Sequence, residues 1–315
     1  MRRNTILIAA LFSALALAGC APSADEAPVI RIGLLPILDA LPIHAADALG
    51  YFEEEGLTIS IVPVSSGPER DQLMQSGQID AMINELVSVM FFNQDEVNVV
   101  AVRFARTASV DTPLFQILAA PGSGMTSPTD LIGVEIAISE GTVIEYTTER
   151  MLESAGLLAE EIVTIAVPKI PDRLNLLLAG QIEAATLPEP AVTVAIQNGA
   201  AVVVNDTIIP DLSNSLITFD LHFVEAHPET VRAFLRAIER AVEAINTDPA
   251  AWDDLLMERG LLAPELVDLV NLPPYPSGAV PSEAQFADAL LWAQSKGYIE
   301  EDLSYQSCVT GAYLP

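Results

Sequence analysis

Basic residues are scarce in this 315-residue chain, 14 Lys and Arg against 43 Asp and Glu, and its only lysines are Lys169 and Lys296. A partner that presents phosphates needs clustered Lys and Arg, so nucleic acid is excluded and anionic lipid headgroups are disfavoured with it. The acid excess reads as a solvated surface. Cysteine is scarcer still, with Cys20 and Cys308 alone, so a framework of disulfides is ruled out and the fold has to stand on its apolar core. The three histidines, His44, His222 and His227, are not spaced as metal ligands. No phosphate loop or nucleophile motif occurs, and beyond the first twenty residues no apolar run is long enough to span a bilayer. What the chain does have is apolar residues, 51% of the total, enough to fill two cores.

Arg2 and Arg3 precede an apolar stretch from Ile6 to Leu17, interrupted only by Ser13, that ends in Leu17-Ala18-Gly19-Cys20. This layout predicts a cleaved secretory leader over residues 1–19, too short for a permanent membrane helix. The tetrapeptide resembles the lipobox of bacterial lipoproteins, in which the cysteine becomes the lipid-modified first residue of the mature chain. Cys20 is therefore the expected anchor and residues 20–28 a tether rich in Ala, Pro, Ser and acids. The expected location is the extracytoplasmic face of a membrane, held by lipid alone.

From Val29 short β-branched runs alternate with amphipathic helical stretches, the grammar of an α/β fold with parallel sheets. Strands are expected at 30–35, 57–62, 79–83, 97–104 and 114–119, with helices at 40–52, 68–75 and 86–92. The pattern then restarts with strands at 133–138, 162–167 and 182–186 and helices at 143–155 and 172–179. Leu73-Met74-Gln75-Ser76-Gly77-Gln78-Ile79-Asp80-Ala81 is echoed by Leu177-Leu178-Ala179-Gly180-Gln181-Ile182-Glu183-Ala184, which predicts two lobes of similar construction. Helical periods at 229–245, 249–258, 264–270 and 283–295 follow, and these helices are expected to pack back onto the first lobe. The predicted division is 29–118 with 221–315 for lobe 1 and 119–220 for lobe 2, with crossings near Leu118 to Gly122 and Leu216 to Leu221.

Ile32-Gly33-Leu34-Leu35-Pro36, the stretch from His44 to Leu57, Gly77-Gln78-Ile79-Asp80-Ala81, Ser139-Glu140-Gly141-Thr142 and Leu187-Pro188-Glu189-Pro190 together resemble the substrate-binding proteins of the NMT1/THI5-like group. The resemblance implies a type II periplasmic-binding-protein fold, two Rossmann-like lobes joined by a two-segment hinge. It implies a monomer that serves an ABC permease and ATPase by delivering a small molecule, with thiamine-pyrimidine precursors, riboflavin, alkanesulfonates, taurine and nitrate among the group's ligands. The eukaryotic pyrimidine synthase of the same group uses a lysine for pyridoxal phosphate, a sacrificial histidine and a cysteine-rich motif. This chain lacks that motif and carries a leader, so the expectation is a binder without cofactor or enzymatic activity. A lipoprotein that senses a ligand without transporting it is the alternative from another class.

In open parallel sheets a ligand sits beyond the carboxyl ends of the strands. That rule selects Leu38 and Asp39 after the first strand, Asn84 and Glu85 after the third, and Ser139, Gly141 and Thr142, whose backbone N–H groups open a helix and suit an oxyanion or ring carbonyl. Tyr146 is expected as a stacking platform and Glu189 as the second-lobe acid. The same rule marks 169–173 and 106–112 as cleft loops. With Arg106, Lys169 and Arg173 as the only bases there, a neutral heterocycle of the pyrimidine or flavin type is favoured over a sulfonate, taurine or nitrate.

Overall fold

Ile30, Ile32 and Leu34 alternate into a core and set the first strand, β1 (Val29–Leu34), in a computed structural model that describes residues 28–315. The leader, Cys20 and the tether as far as Ala27 lie outside the described residues. β1 pairs in parallel with β2 (Thr58–Pro63) and β3 (Ala81–Asn84), and the sheet continues through β10 (Asn214–Asp220) to β4 (Val99–Thr107). β10 runs antiparallel to both of its neighbours. Helices α1 (Leu41–Ala48), α2 (Tyr51–Glu54), α3 (Gly67–Gln75) and α4 (Leu86–Asn93) connect these strands. Gly50, at φ 73°, breaks the expected helix 40–52 into α1 and α2, because it adopts the left-handed conformation that costs glycine nothing.

The second sheet repeats the plan in the order β7 (Val163–Ala166), β6 (Glu135–Ile138), β8 (Ala184–Pro188), β5 (Phe115–Ala119), β9 (Ala201–Asn205). Here β5 is the antiparallel member, and α5 (Val143–Ser154), α6 (Ile170–Leu178) and α7 (Ala191–Gln197) make the connections. Each lobe thus takes its fourth strand from a chain segment that has just crossed between lobes. The crossings lie at 108–114 and 206–213, a few residues before the expected ones, so β5 belongs to lobe 2 and β10 to lobe 1. Periodicity identified both strands but not their partners, which are decided by where the backbone hydrogen bonds go.

The chain ends in α8 (Leu221–Ala226), α9 (Pro228–Thr247), α10 (Asp253–Glu258), α11 (Glu283–Ser295) and α12 (Tyr305–Cys308). α9 lays Val231, Phe234, Leu235, Ile238, Val242 and Ile245 against α1 and α2, with Phe234 stacked on Phe52 at 5.3 Å. Burying such side chains stabilises by about 1.5–3 kcal/mol each, which returns the C-terminal helices to lobe 1 as expected. α11 begins on a capping box of Ser282 and Gln285 and matches its expected span. The stretch expected as a helix at 264–270 forms only one 3-10 turn, Pro264–Leu266.

Candidate functional site

Loops at the carboxyl ends of β1, β3, β6, β7 and β8 line one cavity of about 60 Å³ between the lobes. That is room for on the order of four water-sized spheres. Of the expected site residues, Asp39, Asn84, Glu85, Ser139 and Thr142 line it together. Phe115 and Ser215, at the starts of the antiparallel strands, complete the wall near the crossings.

The first-lobe wall is a closed polar network. Asn84 Oδ1 accepts from Thr218 Oγ1 at 2.5 Å and Asn84 Nδ2 donates to Ser88 Oγ at 3.2 Å. Arg70 donates from Nε to Asp71 Oδ1 at 2.8 Å and from Nη1 to Ile83 O at 3.0 Å and Glu85 Oε2 at 3.3 Å. Its Nη2 forms an ion pair with Asp71 at 2.7 Å without the alignment of a hydrogen bond. Burial pushes the Glu85 carboxyl above its ordinary range and the Arg70 charge pulls it back only in part. Asp39 is likewise engaged, accepting from Ser215 Oγ at 2.6 Å and facing Arg106 Nη1 at 3.4 Å.

The start of α5 was expected to offer free N–H groups to an oxyanion or ring carbonyl, and the chain itself supplies acceptors at Gly141, Val143 and Ile144. Gly141 N donates to Glu145 Oε2 at 2.7 Å, Ile144 N to Thr142 Oγ1 at 3.2 Å, and Val143 N reaches across the lobes to Glu85 Oε1 at 3.4 Å. Gly141, at φ 67°, is held by its turn and is not among the cavity-lining residues. Leu38 is fully buried below the cavity, where its carbonyl accepts from Tyr275 Oη at 2.6 Å. Tyr146 corrects the expectation of a stacking platform: it is 3% exposed, edge-on to Trp292 at 5.3 Å, with its hydroxyl on Asp288 at 2.7 Å. Glu189 turns back to accept from Thr193 N at 3.1 Å, while its neighbour Pro188 lines the cavity. Gly141 N and the Glu189 carboxylate each meet a partner four residues away in sequence, which is reached at little entropic cost.

Two arginines stand on the wall: Arg173, expected there as a cleft-loop base though not singled out as a ligand-binding residue, and Arg70, which was not expected. A sequence signal for them exists, since Pro68-Glu69-Arg70 and Pro171-Asp172-Arg173 open equivalent helices ahead of the repeated Gly-Gln-Ile-acid turn. Arg173 is fully buried, donates from Nη1 to Val167 O at 2.7 Å, and burial lowers its pKa to about 10. Among the described residues no group of His, Cys, Asp and Glu is placed to hold a metal ion, and no helix is long and apolar enough to cross a membrane.

The family model described as NMT1/THI5 like matches residues 38–251. The formylaminopyrimidine-binding protein of Halalkalibacterium halodurans is 29% identical over 114 residues, which cover 36% of this chain and 33% of that protein. The 4-amino-5-hydroxymethyl-2-methylpyrimidine phosphate synthase THI11 of Saccharomyces cerevisiae is 24% identical over 232 residues, 69% of this chain and 66% of the synthase. The chain therefore spans a third of the length of the first relative and just under two thirds of the second. The ligand-binding component of an ABC-type import system from Staphylococcus aureus, solved with zinc bound, shares the fold with a TM-score of 0.77 at 13% identity, over 90% of this chain and 97% of that one. With well over half of its residues under the family model, and the two-lobed architecture the family resemblance implied, this chain belongs to the NMT1/THI5-like family.

Proposed function

We propose that the protein is the solute-capturing component of an ABC importer, closing two lobes around one small molecule and presenting it to a permease and its ATPase. The observation that carries this reading is the cavity itself, walled by strand ends of two lobes, each with its own sheet, between which the chain crosses in only two short segments. A ligand that touches both walls favours the closed arrangement by its differential affinity, and closure is what a permease reads. The named relatives support the class, one as a component of an import system and one as a binder of a formylaminopyrimidine. The synthase relative does not bring its activity here, because the cysteine-rich motif implied for that chemistry is absent from the sequence.

A thiamine-pyrimidine precursor is the first ligand class to test. Neither a pyrimidine nor a flavin fits a cavity of about 60 Å³ unless the lobes part, and the three fused rings of a flavin need the wider opening. Thermal shift against thiamine precursors, riboflavin, taurine, alkanesulfonates and nitrate tests the reading, with small-angle scattering to follow closure. A ligand present at a hundred times its Kd adds about 2.7 kcal/mol to stability, a rise of several degrees in Tm. If no compound of these classes moves either signal, the solute-capture reading falls. Cys20 is proposed as the lipid-bearing residue, and the chain with Cys20→Ser is expected to leave the membrane fraction.

A further inference from the structure

Ten arginines lie among the described residues, and nine of them have a carboxylate oxygen within 3.5 Å. Arg173 is the tenth, in a chain whose acids far outnumber its bases. Its side chain is fully buried on the cavity wall, and its Nε and Nη2 have no acceptor. Ser139, 3% exposed on the same wall, also has a hydroxyl without a partner. A buried guanidinium without a counter-charge is strongly unfavourable, so this one is kept for something other than the stability of the fold.

The other lobe shows how an arginine at this place is neutralised when its role is structural. At one constant offset Arg70 aligns with Arg173 and Gly77-Gln78-Ile79-Asp80-Ala81 aligns with Gly180-Gln181-Ile182-Glu183-Ala184. The two acids that neutralise Arg70 are Asp71 and Glu85. At the same offset Asp71 becomes Leu174 and Glu85 becomes Pro188, while the adjacent Glu189 spends its carboxylate on Thr193 N. The first-lobe arginine is thereby closed into its wall. The second-lobe arginine keeps its charge and the Nε–Nη2 edge, the side of a guanidinium that forms two parallel bonds to an oxyanion.

We infer that Arg173, assisted by Ser139, determines specificity by taking an oxyanion carried by a small solute, a carboxylate, sulfonate or phosphate, side-on through Nε and Nη2. The acids on the wall do not oppose this, because Glu85 is held by Arg70 and Val143 N, and Asp39 by Arg106 and Ser215. The inference deepens the solute-capture reading and rests on it. It also revises the ligand class expected from the shortage of bases: one unpaired buried cation outweighs several that are already neutralised.

The test is calorimetric titration of the full protein at fixed ionic strength with a matched pair, 4-amino-2-methylpyrimidine-5-carboxylate and 4-amino-5-hydroxymethyl-2-methylpyrimidine, and with methanesulfonate and inorganic phosphate. At least one oxyanion probe is expected to bind, and the pyrimidine carboxylate to bind about tenfold or more tighter than its neutral counterpart. Arg173→Met should weaken the anions roughly 10- to 100-fold, weaken the neutral compound far less and raise Tm, because it removes a buried charge. Arg173→Lys, which keeps the charge and loses the fork, should fall between, and Ser139→Ala should weaken the anions several-fold, so the outcome does not depend on one variant folding. Unchanged anion affinity in Arg173→Met, or a lower Tm with binding intact, overturns the inference. If the neutral compound binds and no anion does, the inference falls and solute capture stands; if no probe binds, both fall.

Discussion

Asp206 ties the two crossing segments together. Fully buried, it accepts from Leu114 N at 3.0 Å and Phe115 N at 2.9 Å on the first segment's exit and from Ser213 Oγ on the second. Burial raises its carboxyl to about 6 against the pull of those donors. A carboxyl that holds its proton more tightly folded than unfolded favours the fold at low pH, and that contribution is lost as the pH rises from about 4 through 6. Asp206→Asn removes the titration, so wild-type stability relative to the variant should fall by on the order of 2–3 kcal/mol across that window. Urea denaturation at each pH reads this, and a difference that stays flat with pH would refute it. Residues of this kind are hard to see in a sequence. Asp39, Asn84, Glu85, Ser139 and Thr142 were legible because strand ends and helix starts are local features, whereas Asp206 and Arg173 matter only through what tertiary folding places, or fails to place, beside them.

Among elements, α5 of lobe 2 and α11 of lobe 1 form a seam beside the cavity. The Trp292 ring meets Tyr146 at 5.3 Å and Tyr298 at 5.8 Å, its Nε1 donates to Glu149 at 2.7 Å, and Lys296 bridges Glu145 and Glu149. Trp292 and Tyr146 are both large and buried and carry the packing of the seam, while Lys296, about a third exposed, faces the buried Glu145 and the mostly buried Glu149. Trp292→Ala should cost about 3–5 kcal/mol in urea denaturation and more than Lys296→Met, because Glu145, without its cation, still accepts from Gly141 N and Tyr298 Oη. Equal small losses from both variants would show that the lobes do not depend on this seam. Both helices were expected from their periodicity, and α11 to the residue, but a helical period says which face is apolar and not which helix it will meet.

At the scale of the whole molecule, a formal charge of −29 repels itself. Surface ion pairs such as Arg236 with Glu55 and Arg240 with Glu54 are worth at most about 1 kcal/mol each and weaken in salt, which is too little to reverse that repulsion. Raising ionic strength from about 0.01 M to 0.15 M shortens the Debye length from roughly 30 Å to 8 Å. Tm should therefore rise with sodium chloride by several degrees, as differential scanning calorimetry can read; a fall would mean that the ion pairs dominate instead.

By itself the sequence determined the α/β class, the two similar lobes and most element positions, because apolar period, glycine stops and caps act over a few residues and are written in order along the chain. Only the tertiary structure decided that β5 and β10 trade lobes, that Glu145 and Glu85 take Gly141 N and Val143 N at the start of α5, and that Arg70 is neutralised where Arg173 is not. The physical reason is common to all three: hydrogen bonds and charges are satisfied by whichever partner arrives in space, and distance along the chain does not say which partner that will be.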